Sequence, residues 1–133
     1  MKKSDTLPDL PAESPVTTGT YFLLDEDVVT RLIPLAISGD CEGAFRLYQH
    51  YQYGGLNLGE LASHYLIVGA CFGHVVSQYN LAVALMNSGK KVTTGDLQAG
   101  YFWLNKAANQ GNANAQIELK RVQSDSQYKN YLK

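Results

Sequence analysis

A chain of 133 residues, 45% hydrophobic and 17% charged, is about one domain long and can bury a core without disulfides or a metal. Its 11 basic and 12 acidic side chains leave a formal charge of −1, which offers no electrostatic basis for binding nucleic acid. The 2 cysteines, Cys41 and Cys71, have neither zinc-site nor CxxC spacing, so they read as reduced, partly buried thiols, with a bridge between them or a reactive thiol as the alternatives.

The opening MKKSDTLPDLPAESP has two lysines with no apolar run behind them and does not read as a secretory leader. Pro8, Pro11 and Pro15 stand among Ser, Thr, Asp and Glu, so residues 1–24 are expected to form a flexible or loosely docked tail. Tyr21–Leu24, YFLL, is the first stretch that favours burial. From Asp25 the pattern turns helical, with Glu26 and Asp27 suited to the positive helix end and apolar residues at Val28, Leu32, Leu35 and Ala36. Pro34 is expected to kink or split this helix.

Helical periods between glycine punctuation, with no alternating strand pattern, predict six helices near 26–38, 41–53, 59–71, 74–88, 95–109 and 112–123. The segment around Leu61–Phe72 is broken by Ser63 and His64 and is too short to cross a bilayer, which needs roughly 20 apolar residues. A cytoplasmic protein without a membrane partner is expected.

A repeat emerges when Gly39, Gly73 and Gly111 are aligned. Four positions later stand Gly43, Ser77 and Ala115, and eight later Leu47, Leu81 and Leu119. Three positions earlier stand Ala36, Ala70 and Ala108, and eight before the last two origins Tyr65 and Trp103. Small residues let two helices approach, the Leu and the aromatic fill the wider part of the junction, and the glycine turns the chain. Tyr65 and Trp103 are therefore read as packing residues rather than binding aromatics.

SQYNLAVAL at 77–85, Val92, Ala99, Phe102–Trp103, KAA at 106–108, Gly111 and Ala115–Gln116 resemble the Sel-one-like repeat, a relative of the tetratricopeptide repeat. The resemblance covers about residues 36–119 and is strongest in 73–116; the first unit has Gly43–Ala44 where a small residue and Gln are usual. It implies an all-α fold, a short α-solenoid of antiparallel hairpins within residues 25–133. Units fall near 39–72 and 73–110, with half units at 25–38 and 111–124.

No nucleophile elbow, zinc-protease helix or phosphate loop is present: in NSGKK at 87–91, Ala84 replaces the first glycine and Lys91 the Ser or Thr. No two of His50, His64 and His74 are spaced i, i+4, and Glu42, Glu60, Asp96 and Glu118 sit where helix surfaces ordinarily carry carboxylates. No catalytic residue, metal or cofactor is expected.

By analogy with tetratricopeptide stacks, the first helix of each hairpin would present Glu42, Phe45, Gln49 and Tyr53, then Val76, Tyr79, Val83 and Met86, then Ile117 and Arg121. Apolar and aromatic residues with a polar edge suit a protein partner, although Phe45, Tyr79 and Ile117 could equally support packing between helices. The expected function is a non-enzymatic protein-interaction module, an adaptor or regulatory subunit, monomeric or weakly dimeric. A narrower version is a small bacterial immunity or antitoxin protein masking a toxin. The enzyme alternative, a β-lactamase-like Sel-one hydrolase, belongs to a secreted class with many paired cysteines, which this chain does not match.

Overall fold

A computed structural model describes residues 21–87 and 92–125. The expectations placed on residues 1–20, on the lysines of NSGKK and on the last eight positions lie outside the described residues. Among the described residues the chain is all helical, with α1 Glu26–Ile37, α2 Cys41–Tyr53, α3 Gly59–Cys71, α4 Val75–Met86, α5 Thr94–Asn109 and α6 Ala113–Ser124. The chain divides after Phe72 into two compact units, α1–α3 and α4–α6.

In the first unit, α2 packs along α3, and α1 lies mainly against α2. The α1 stripe is Val28, Leu32 and Ala36, spaced one turn apart, while Leu35 is exposed. Pro34 does not split the helix, which continues through Ile37. It occupies the exposed side, where a carbonyl that loses its donor one turn earlier can be hydrated. On α2 and α3, Ala44, Leu47, Tyr51, Ala62, Tyr65 and Leu66 are buried. Tyr51 and Tyr65 stack with ring centroids 5.8 Å apart.

In the second unit, Ala82, Met86, Leu104, Ala107, Ala108, Ala115 and Val122 form the core, with Tyr79, Trp103 and Leu119 packed partly buried against it. Gly100 permits the closest approach of α4 and α5. A Cβ there would overlap Met86 Cγ and stand 3.2 Å from the Ala82 carbonyl oxygen. Gly100→Ala is accordingly expected to destabilise the protein by about 1–3 kcal/mol, read as a lower denaturation midpoint at unchanged helicity. An unchanged midpoint would show that the two helices are not held this close.

Three turns share one construction. Gly39, Gly73 and Gly111 have φ of 117°, 99° and 96°, the left-handed region that a side chain disfavours. Each is followed by a side chain that caps the next helix: Asp40, His74 and Asn112 accept from the backbone N–H of Gly43, Ser77 and Ala115. At the first and third turns the backbone closes back, Asp40 N–H onto Leu35 O at 2.9 Å and Asn112 N–H onto Ala107 O at 3.1 Å. The register found in the sequence is thus a physical one: its origin glycines end one helix, and the small residues four positions on lie buried in the next.

Gln116 adds a clip within the second unit, its amide donating to the Ala108 carbonyl on α5 at 3.0 Å. Buried Gln78 accepts from Gln110 at 2.6 Å, which satisfies a polar oxygen that would otherwise be costly to bury. Asp96 has a helix-start role, forming a capping box with Thr93 at the head of α5.

Candidate interaction face

In the first unit the α2 surface runs from exposed Glu42 through half-buried Phe45 and Gln49 to exposed Tyr53. Phe45 leans on Tyr48 with centroids 5.7 Å apart, and Tyr48 meets Tyr53 edge-on at 6.0 Å with their hydroxyls 3.4 Å apart. Burial, then the hydrogen bond shared with Tyr53, pushes the Tyr48 hydroxyl well above the ordinary tyrosine range. Burial, with the Tyr65 hydroxyl nearby, raises Tyr51 as well.

The far end of this surface is already occupied. The Phe22 ring sits 5.6 Å from that of Tyr53, and the Leu24 N–H donates to His50 Nδ1 at 3.0 Å. Phe22, Leu23 and Leu24 of the expected tail therefore pack on the end of α2, in keeping with the apolar character of YFLL.

In the second unit Val76 is 43% exposed at the start of α4, and Tyr79 and Val83 are half-buried. Tyr79 rests against the core and so has a packing role. Met86 does not belong to an accessible face. It is only 5% exposed, because the missing side chain at Gly100 lets it drop between α4 and α5. On α6, Ile117 is 68% exposed, and Arg121 holds Glu118 through a fork with Nε 3.1 Å from both carboxylate oxygens and lies 3.9 Å from Asp125.

The histidines have separate local tasks. His64 is exposed beside Tyr65. His74 Nδ1 lies 2.9 Å from Ser77 Oγ and accepts the Ser77 N–H at 3.1 Å. This hydroxyl–imidazole pair was not legible as such in the sequence; His is an unusual cap, and only the origin-glycine register points to it. With Ser77 wholly buried, the pair starts a helix and has no access to a substrate. Among the described residues no group of three His, Cys, Asp or Glu side chains could hold a metal ion. Cys41 is half-buried and Cys71 exposed, both as free thiols.

A second surface feature escaped the sequence reading. A shallow, open depression of about 420 Å3 is lined by Gln98, Tyr101, Phe102, Asn105, Lys106 and Asn109, all on one side of α5. Lys106 Nζ stands 5.7 Å from the exposed Phe102 ring, and Tyr101 accepts from Gln123 at 3.1 Å. The spacing of these residues at one and two turns was the available signal.

No family model matches the chain, and no solved structure matches it. It is similar to a protein of Escherichia coli (strain K12) described as "Uncharacterized protein YibG", 29% identical over 107 residues, covering 80% of this chain and 69% of that protein. No helix among the described residues is long and apolar enough to cross a membrane.

Proposed function

We propose that the protein is a non-enzymatic interaction module that binds a protein partner through exposed side chains of α4 and α6 in its second unit. The observation that carries this reading is Ile117, a large aliphatic side chain 68% exposed at the register position where Phe45 and Tyr79 are half-buried. An exposed β-branched side chain contributes little to its own helix, whereas at the centre of an interface it can be fully desolvated. Val76 is a second exposed aliphatic side chain of this unit, and the Glu118–Arg121–Asp125 ion pairs supply a polar edge beside Ile117.

The resemblance to Sel-one-like repeats supports the same reading at the level of architecture. His74 and Asp96 cap helices, and Asp27 and Glu118 pair with arginines on the surface, a further support for a binding rather than a catalytic role.

The test is a Val76→Asp, Ile117→Asp double variant. Both side chains are exposed, so melting temperature and helicity are expected to stay near wild type. Recovery of the specific partner from the native host, identified by affinity purification and mass spectrometry, is expected to fall at least about tenfold, the loss of a contact worth about 1.4 kcal/mol. Equal recovery by a folded double variant removes these faces from the proposal.

A further inference from the structure

Tyr21–Leu24 is attached to α2 through three contacts. Phe22 covers Tyr53 at 5.6 Å between centroids, and Leu23 lies over Gly54, where a Cβ would come within 3.3 Å of Leu23 Cδ1. The Leu24 N–H donates to His50 Nδ1 at 3.0 Å. Only the last of these depends on a protonation state. To accept, Nδ1 must carry a lone pair, so the His50 proton resides on Nε2. A second proton would convert Nδ1 into a donor facing another donor. His50 is 6% exposed, so the resulting charge would also be held away from water.

We propose that Tyr21–Leu24 is a proton-released strap, which covers the end of the α2 face while His50 is neutral and leaves it when His50 is protonated. The occupant is this chain's own segment, and the inference does not depend on the identity or existence of a protein partner.

The surroundings of His50 favour release over charge compensation. On its own helix it meets the Tyr51 ring edge-on at 4.7 Å, with Tyr48 and Tyr53 on the same helix; Tyr65 of α3 stacks on Tyr51. Asp25, Glu26 and Asp27 follow the strap at the head of α1, with Asp27 3.8 Å from Arg31, while Glu60 and His64 are exposed on α3. None of these side chains contributes to the lowering of His50 below the ordinary histidine value, whose cause is burial.

The sign follows from proton linkage. Docking depresses the His50 value, so the released form binds more protons. The strap is then fully docked above the ordinary histidine value of about 6.5 and is progressively lost as pH falls below it. Within that window the docked-to-released ratio falls by up to about tenfold per pH unit.

Amide hydrogen exchange by NMR on the full chain, corrected for intrinsic rates, tests this between about pH 7.5 and about pH 5. The Leu24 amide is expected to lose protection on acidification, by up to about tenfold per unit. Core amides of α2, such as that of Leu47, are expected to keep theirs. His50→Gln, which retains an acceptor but does not titrate, is expected to flatten the profile. Constant Leu24 protection, a loss shared equally by the α2 core, or an unaltered pH profile in a folded His50→Gln protein would each overturn the strap. The wild-type titration decides the matter by itself if the variant does not fold.

Discussion

Tyr65→Ala is expected to cost about 3–5 kcal/mol, the range for removing a buried large aromatic side chain. The ring is only 5% exposed and stacks on Tyr51, so its loss leaves a cavity and removes an aromatic pair together. Denaturant titration followed by far-ultraviolet circular dichroism measures the change. Tyr65→Phe separates two contributions: it retains the stacked ring and is expected to recover most of the loss. A midpoint unchanged in Tyr65→Ala would mean that α2 and α3 close without this ring.

Leu104→Ala is expected to have a comparable effect in the second unit, about 2–5 kcal/mol. Leu104 is fully buried within a cluster whose other members are four alanines, Ala82, Ala107, Ala108 and Ala115, with Met86 and Val122, so few larger side chains can move in to fill its volume. Met86 is the flexible neighbour, and its accommodation at Gly100 already fixes part of its path. The cost is therefore expected toward the upper part of the range. The register-equivalent Trp103→Ala should be milder than truncation of a wholly buried indole, because Trp103 lies against the cluster only partly buried. Thermal melts of the two variants side by side check this order, and a larger loss from Trp103→Ala would reverse the assignment of the core.

The helices were legible because each carries local signals at both ends. The expected 41–53 and 59–71 match the observed α2 and α3, and the other boundaries shift by one or two residues, where caps rather than periodicity decide. The buried status of Ala36, Ala70, Ser77, Ala108 and Ala115 was readable from register alone, since small residues recur wherever two helices touch.

The candidate face was less legible. Outward position on a helix wheel cannot distinguish an exposed Ile117 from a buried Met86, because that outcome depends on what the neighbouring helix lacks. Gly100 was visible in the sequence, but its partner across the helix contact was not. The docking of Leu24 on His50 was likewise out of reach, since it joins residues far apart in the chain through one backbone N–H and one ring nitrogen. At Pro34 a local breaker does not split the helix, because the Thr30 carbonyl that loses its donor falls on the wet side of α1.

In the turns at Gly39 and Gly111, each inside one unit, the residue that stops one helix is bonded directly to the residue that starts the next. One added residue between them would rotate the following helix by about 100° relative to its predecessor, carrying its small, buried stripe away from its contacts. These turns act as phase clamps, fixing the angular setting of each helix as well as its start. An insertion is consequently expected to be tolerated better in the connection between α2 and α3 than in these turns.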